Sequence, residues 1–74
     1  MELNYVNNAL EQFKKALEFN PYHFASMKNL AYLYKLESDY SMCIHYYQRF
    51  LELNPYDEEV HNYLGLAYDD IDNK

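Results

Sequence analysis

The residues in this sequence best equipped for chemistry are few: His23, His45 and His61, the single Cys43, and the late acids Asp69, Asp70 and Asp72. A zinc site wants an i,i+4 histidine pair on a helix, or His and Cys that converge. No two of these histidines lie within four residues of each other, so they read as structural or solvated side chains. The aspartates suggest calcium only superficially, because no glycine at the sixth loop position and no closing glutamate follow them. Acid–base work by paired carboxylates needs a pocket, which a chain of 74 residues read as short helices does not enclose. Gly65 is the only glycine, so no glycine-rich phosphate loop exists. Cys43 reads as an inert core thiol. The sequence therefore predicts no catalytic residue, no metal and no cofactor, and a protein that is not an enzyme.

The elements that carry these residues are constrained by size and charge. Seventy-four residues make one small domain, 1–74, whose core is marginal without dense packing, a staple or a partner. A lone cysteine supplies no internal disulfide and favours a reducing, intracellular and cytoplasmic setting. Met1 to Leu10 lack the basic start and apolar run of a secretory signal. The longest apolar stretch, Leu30 to Tyr34, ends at Lys35, far short of the roughly 20 residues of a membrane span, so no membrane partner is expected. Twelve acids against six bases give a net charge of −6, which opposes nucleic-acid binding, where phosphates call for a basic face. Six of those acids fall between Asp57 and Asp72 with no Lys or Arg among them, so a charged partner of that end is expected to be neutral or basic. One glycine and two prolines leave little punctuation for strand hairpins. Helix is the default, with the ten tyrosines as large core fillers whose hydroxyls stay wet.

The chain repeats itself. Ala16-Leu17-Glu18-Phe19-Asn20-Pro21-Tyr22 returns as Phe50-Leu51-Glu52-Leu53-Asn54-Pro55-Tyr56, an offset of 55 − 21 = 34. At that offset Phe13 meets Tyr47, Leu30 meets Leu64, Ala31 meets Gly65 and Tyr34 meets Tyr68. Apolar residues at 24, 27, 30, 31 and 34 recur at helical intervals, as do those at 40, 43, 44, 47, 50 and 51. Glu37-Ser38-Asp39 separates the two runs, with Ser38 or Asp39 able to cap the second, and so short a link makes the helices antiparallel neighbours. Asn54-Pro55 stops the second helix, and proline also suits the start of the next. Four helices follow, near 3–20, 22–37, 39–53 and 56–71.

These residues resemble the tetratricopeptide repeat, a 34-residue unit with the outline Trp-x2-Leu-Gly-x2-Tyr, Ala-x3-Phe, Pro. The chain has Met27-x2-Leu30-Ala31-x2-Tyr34, Cys43-x3-Tyr47 and Pro55. Ala9-x3-Phe13 with Pro21 resembles the second half of an earlier unit (1–21), and His61-x2-Leu64-Gly65-x2-Tyr68 the first half of a later one (56–74), around the complete repeat 22–55. The resemblance implies an all-α, right-handed solenoid of antiparallel helical hairpins. Within it Leu30 and Tyr47 should meet across the central helix pair. Phe50 stands where a small residue is usual, so that junction should be looser or specially packed. His61 stands where a large apolar residue is usual, which predicts weaker docking of the last helix.

The family resemblance also implies a function: holding a protein or peptide in a groove lined by the first helix of each repeat. Carried over by position, the lining is Ala25, Lys28, Asn29, Tyr32, Lys35 and Leu36, then Glu59, Asn62, Leu66 and Asp69. Tyr32 and Leu36 lie off the Met27–Leu30–Ala31–Tyr34 stripe, so that helix is apolar on two sides; the competing reading packs Tyr32 against the next first helix. One family subtype clamps a carboxylate with Asn, Lys and Arg. Asn29 resembles that asparagine, but the cationic positions fall on Glu59 and Tyr63, so no clamp for an acidic tail is expected. The expected partner is a neutral, mixed-charge or basic protein or peptide. The alternative is self-association, a homo-oligomer through exposed end helices or continuation into a longer solenoid. Lys14, Lys15 and Arg49 read as an outward, solvated face.

Overall fold

In a computed structural model that describes the backbone of residues 2–72 and the side chains of residues 5–72, the chain is four helices in sequence order: α1 (Glu2–Phe19), α2 (Phe24–Leu36), α3 (Tyr40–Leu53) and α4 (Glu58–Asp72). Met1 and residues 73–74, the ends of the expected 1–74 domain, lie outside the described residues. Each helix packs against its neighbours in sequence. The helices α2 and α4 begin two residues later than the prolines suggested. Pro21 and Pro55 sit in turns that precede the helices, closed by His23 N–H to the Asn20 carbonyl at 3.0 Å and by Asp57 N–H to the Asn54 carbonyl at 3.3 Å. The equal offset of these two turns shows the repeat extending to the connections.

The link between α2 and α3 is three residues long and fully used. Ser38 adopts a left-handed backbone, φ 63°. Its N–H reaches the Lys35 carbonyl at 2.9 Å, and the Asp39 N–H reaches the Tyr34 carbonyl at 2.9 Å. That pair of bonds is the Schellman ending, which satisfies carbonyls the helix would leave orphaned and normally wants glycine at the left-handed residue. Asp39 at once becomes the N-cap of α3, its side chain accepting from Met42 N–H at 3.3 Å. Of the two capping candidates in the sequence, Asp39 caps and Ser38 turns. Likewise Asp57 caps α4 by accepting from Val60 N–H at 3.1 Å.

The core is one cluster: Leu10 from α1, Met27, Leu30, Ala31 and Tyr34 from α2, Cys43, Ile44, Tyr47 and Phe50 from α3, and Val60 and Ala67 from α4. Leu30 and Tyr47 are both fully buried in it, as the central helix pair requires. Phe50 does not loosen its junction. Its ring meets Phe24 edge-on at 5.9 Å, with the Lys28 ammonium 5.9 Å above it. His61 leaves the docking of α4 untouched, because it is not in that interface. Val60 and Ala67 are the buried residues of α4, while His61 is exposed and its Nε2 lies 2.8 Å from the Pro55 carbonyl oxygen, within donating range.

Candidate interaction surface

The helix α2 is apolar on two sides because its core stripe and its outer residues fall on different faces of one helix. Met27, Leu30, Ala31 and Tyr34 turn inward, whereas Tyr32 and Leu36 remain 53% and 56% exposed. Ala25 and Asn29 are exposed beside them, and Lys35 is partly covered. In α4, Leu66 occupies the repeat position of Tyr32 (32 + 34 = 66) and is 50% exposed. Tyr32 and Leu66 thus each keep about half of their surface open at equivalent positions.

A salt bridge ties the two helices: Lys28 Nζ to Glu59 Oε1 at 2.7 Å, with both side chains partly open to water. The hydrogen bond to Glu59 holds the Lys28 ammonium above its ordinary pKa. So Lys28 and Glu59, separated by 31 residues, lie at one point of the surface and neutralise each other there. Lys35 and Asp69, equivalent positions of opposite sign, make no salt bridge among the described residues. Asn62, Leu66 and Asp69 line a shallow open concavity on α4 together with His61 and Gly65. His61 and Gly65 were absent from the sequence-derived lining, since both read as packing positions of the repeat. No signal in the sequence says whether a packing position is covered.

The chemistry-bearing residues are dispersed. Among the described residues no three His, Cys, Asp or Glu converge as metal ligands. His23 Nδ1 lies 2.6 Å from the hydroxyl of buried Ser26, a local bond at the start of α2. Cys43 is fully buried, and burial pushes its thiol up to about 11, so it stays protonated at neutral pH. Burial likewise pushes the Tyr47 hydroxyl above its ordinary range. No helix among the described residues is long and apolar enough to cross a membrane.

Antiparallel hairpins repeating at 34 residues, with half-exposed aromatic and aliphatic side chains on the first helices, define a helical-repeat protein of the interaction type. Residues 26–57 match the sequence model of the tetratricopeptide repeat, and the chain has that family's helical-hairpin solenoid fold. Among curated proteins it is 31% identical over 62 residues to the general transcriptional corepressor ssn6 of Schizosaccharomyces pombe, covering 84% of this chain and 6% of that protein. It is 28% identical over 71 residues to the transcription factor tau 131 kDa subunit of Saccharomyces cerevisiae, covering 96% of this chain and 7% of that subunit. The general transcriptional corepressor trfA of Dictyostelium discoideum is 29% identical over 62 residues, or 84% of this chain and 4% of that protein. The chain thus spans less than a tenth of the length of these relatives.

Proposed function

We propose that this chain holds a peptide or partner helix across the face shared by α2 and α4, with Tyr32, Leu36 and Leu66 as apolar anchors. Tetratricopeptide repeats mediate protein–protein interaction, and the observation favouring this face is the exposure of Tyr32 and Leu66 at equivalent positions on bridged helices. Large aromatic side chains in such places carry most of the affinity when a partner desolvates them, while charges set specificity and association rate. The Lys28–Glu59 pair leaves the middle of the face neutral, so discrimination falls to Lys35 and Asp69, with Asn29 and Asn62 as hydrogen-bonding neighbours. A mixed-charge, neutral or basic peptide fits this arrangement better than an acidic tail, in keeping with the net charge of −6. The relatives' names speak of transcription, which favours an intracellular setting, while the acidity of this chain opposes nucleic acid as its partner.

The test is selection of binders from a displayed peptide library, followed by amide shift mapping on the isotope-labelled chain. Peptides should perturb Tyr32, Leu36 and Leu66. Tyr32→Ala should weaken them by about 2 kcal/mol, roughly thirtyfold, with helix content unchanged. Asp69→Lys should alter partner choice and salt dependence. Binders that map to the outer face around Lys15, His45 and Arg49, and that ignore both substitutions, would refute this assignment.

A further inference from the structure

The 34-residue offset places residues 6–19 of α1 at the positions of α3, and residues 58–70 of α4 at those of α2. Burial at these equivalent positions differs in a patterned way. In α2, Met27, Ala31 and Tyr34 are buried by α3; their equivalents in α4, His61, Gly65 and Tyr68, are exposed. A Cβ built on Gly65 meets nothing within 4 Å, whereas Ala31 at the same position has no exposed surface. In α3, Cys43, Tyr47 and Phe50 are buried against α2; their equivalents in α1, Ala9, Phe13 and Ala16, are only partly covered. The two uncovered faces are therefore the two halves of the α2–α3 interface, carried at opposite ends of the molecule.

From this complementarity we infer that copies of the 74-residue chain associate head to tail, α4 of one copy receiving α1 of the next in the place that α3 takes on α2. In the antiparallel register that sets Phe24 against Phe50, Ala31 is level with Cys43. The same register sets Gly65 level with Ala9 of the next copy and His61 level with its Phe13. A small residue facing a small residue allows close helix approach, as in the internal pair. The helix dipoles agree with this direction. The last turn of α4 holds Asp69, Asp70 and Asp72 with no base, against its own negative end. An antiparallel α1 brings the positive end of its dipole beside those carboxylates. Because one face meets a different face, the contact is heterologous and does not close on itself at two copies, so assembly continues with concentration. On α2 the peptide anchors Tyr32 and Leu36 lie away from the α3-facing stripe, whereas on α4 the two surfaces adjoin, His61 and Gly65 lining one concavity with Asn62, Leu66 and Asp69.

The experiment is sedimentation equilibrium of the wild-type chain and of two blocked variants over micromolar to millimolar concentration. Wild type should rise progressively above the 9.0 kDa monomer. Gly65→Arg has open space for its side chain in the monomer and exchanges glycine for a better helix former, so its helix content should hold or rise while it sediments as a monomer. Ala9→Arg blocks the opposite face, with Ala16→Arg as a second variant if circular dichroism shows that Ala9→Arg loosens α1. An equimolar mixture of a tail-blocked and a head-blocked chain retains one intact contact, and should give a species of twice the monomer mass that grows no further. A wild type that stays monomeric overturns the inference and leaves the α4 face to a helix from outside these 74 residues. Association that survives Gly65→Arg, or two blocked variants that fail to combine, overturns it as well, the latter pointing to a symmetric contact.

Discussion

The helices α2 and α4 hold the same place in the repeat and live in different surroundings. The first is closed over by α3, so Tyr34 keeps 8% of its surface; among the described residues no helix covers the corresponding face of the second, and Tyr68 keeps 44%. The Tyr68 hydroxyl accepts from Gln48 Nε2 at 2.7 Å, and Gln48 stands at the repeat position of Lys14, whose ammonium lies 5.9 Å from the Tyr34 ring. Equivalent sequence thus yields a core in one helix and an open surface in the other. In a linear repeat, stability is set by which neighbour is present as much as by the residues themselves. The same motif position can be structural in one unit and free to bind in the next.

The sharpest break in that comparison comes from Leu30 and its equivalent Leu64. Leu30 is fully buried, so Leu30→Ala should destabilise by about 2–5 kcal/mol through lost transfer energy and a residual cavity. That approaches the whole stability of a domain this small, and far-ultraviolet circular dichroism should show most of the helix lost. Leu64 is only partly buried, so Leu64→Ala should leave the chain folded. Equal losses from both would erase the distinction.

The small-residue position gives the next contrast, with effects of opposite sign. Enlarging Ala31 to Leu overpacks a closed interface and should cost about 1–3 kcal/mol in urea denaturation. Gly65→Ala enters open space inside a helix and should stabilise by about 0.5–1 kcal/mol. The turn between α2 and α3 offers a similar pair: Asp39→Ala removes a cap and should cost about 1 kcal/mol. Ser38→Gly relieves a left-handed backbone and should gain roughly 0.5 kcal/mol.

Helix number, order and the antiparallel pairing were legible from the 34-residue offset and the 3.6-residue apolar period. The helix starts were less so: Asn-Pro-Tyr forms a closed turn, and the cap falls on Asp57, two residues past Pro55. Phe50 and His61 looked like defects when measured against the family outline. Phe24 opposite Phe50 repairs the first, and the second faces no helix among the described residues. The groove residues could be placed on helices by period alone. The Lys28–Glu59 bridge could not, because it spans 31 residues and depends on how α2 and α4 lie side by side.

Chemical reactivity should report the closed side of the comparison. Cys43 lies at the α2–α3 interface with its thiol held near 11, so a thiol reagent at neutral pH should modify it only as fast as the chain unfolds. The folded pKa is raised above the ordinary 9.0, so the associated stability is intact below pH 9 and lost as pH climbs toward about 11. Tyr47 is shifted in the same direction. A denaturation series across that window should show stability falling, with a shallower fall in Cys43→Ala.

Native-state amide hydrogen exchange, run at a concentration where the chain is monomeric, tests most directly the claim that equivalent helices differ by their cover. The amides of α2 and α3 should exchange only through global unfolding, while those of α4 open at a lower free energy despite sharing the repeat's sequence pattern with α2. Equal protection of α2 and α4 in the monomer would contradict the account.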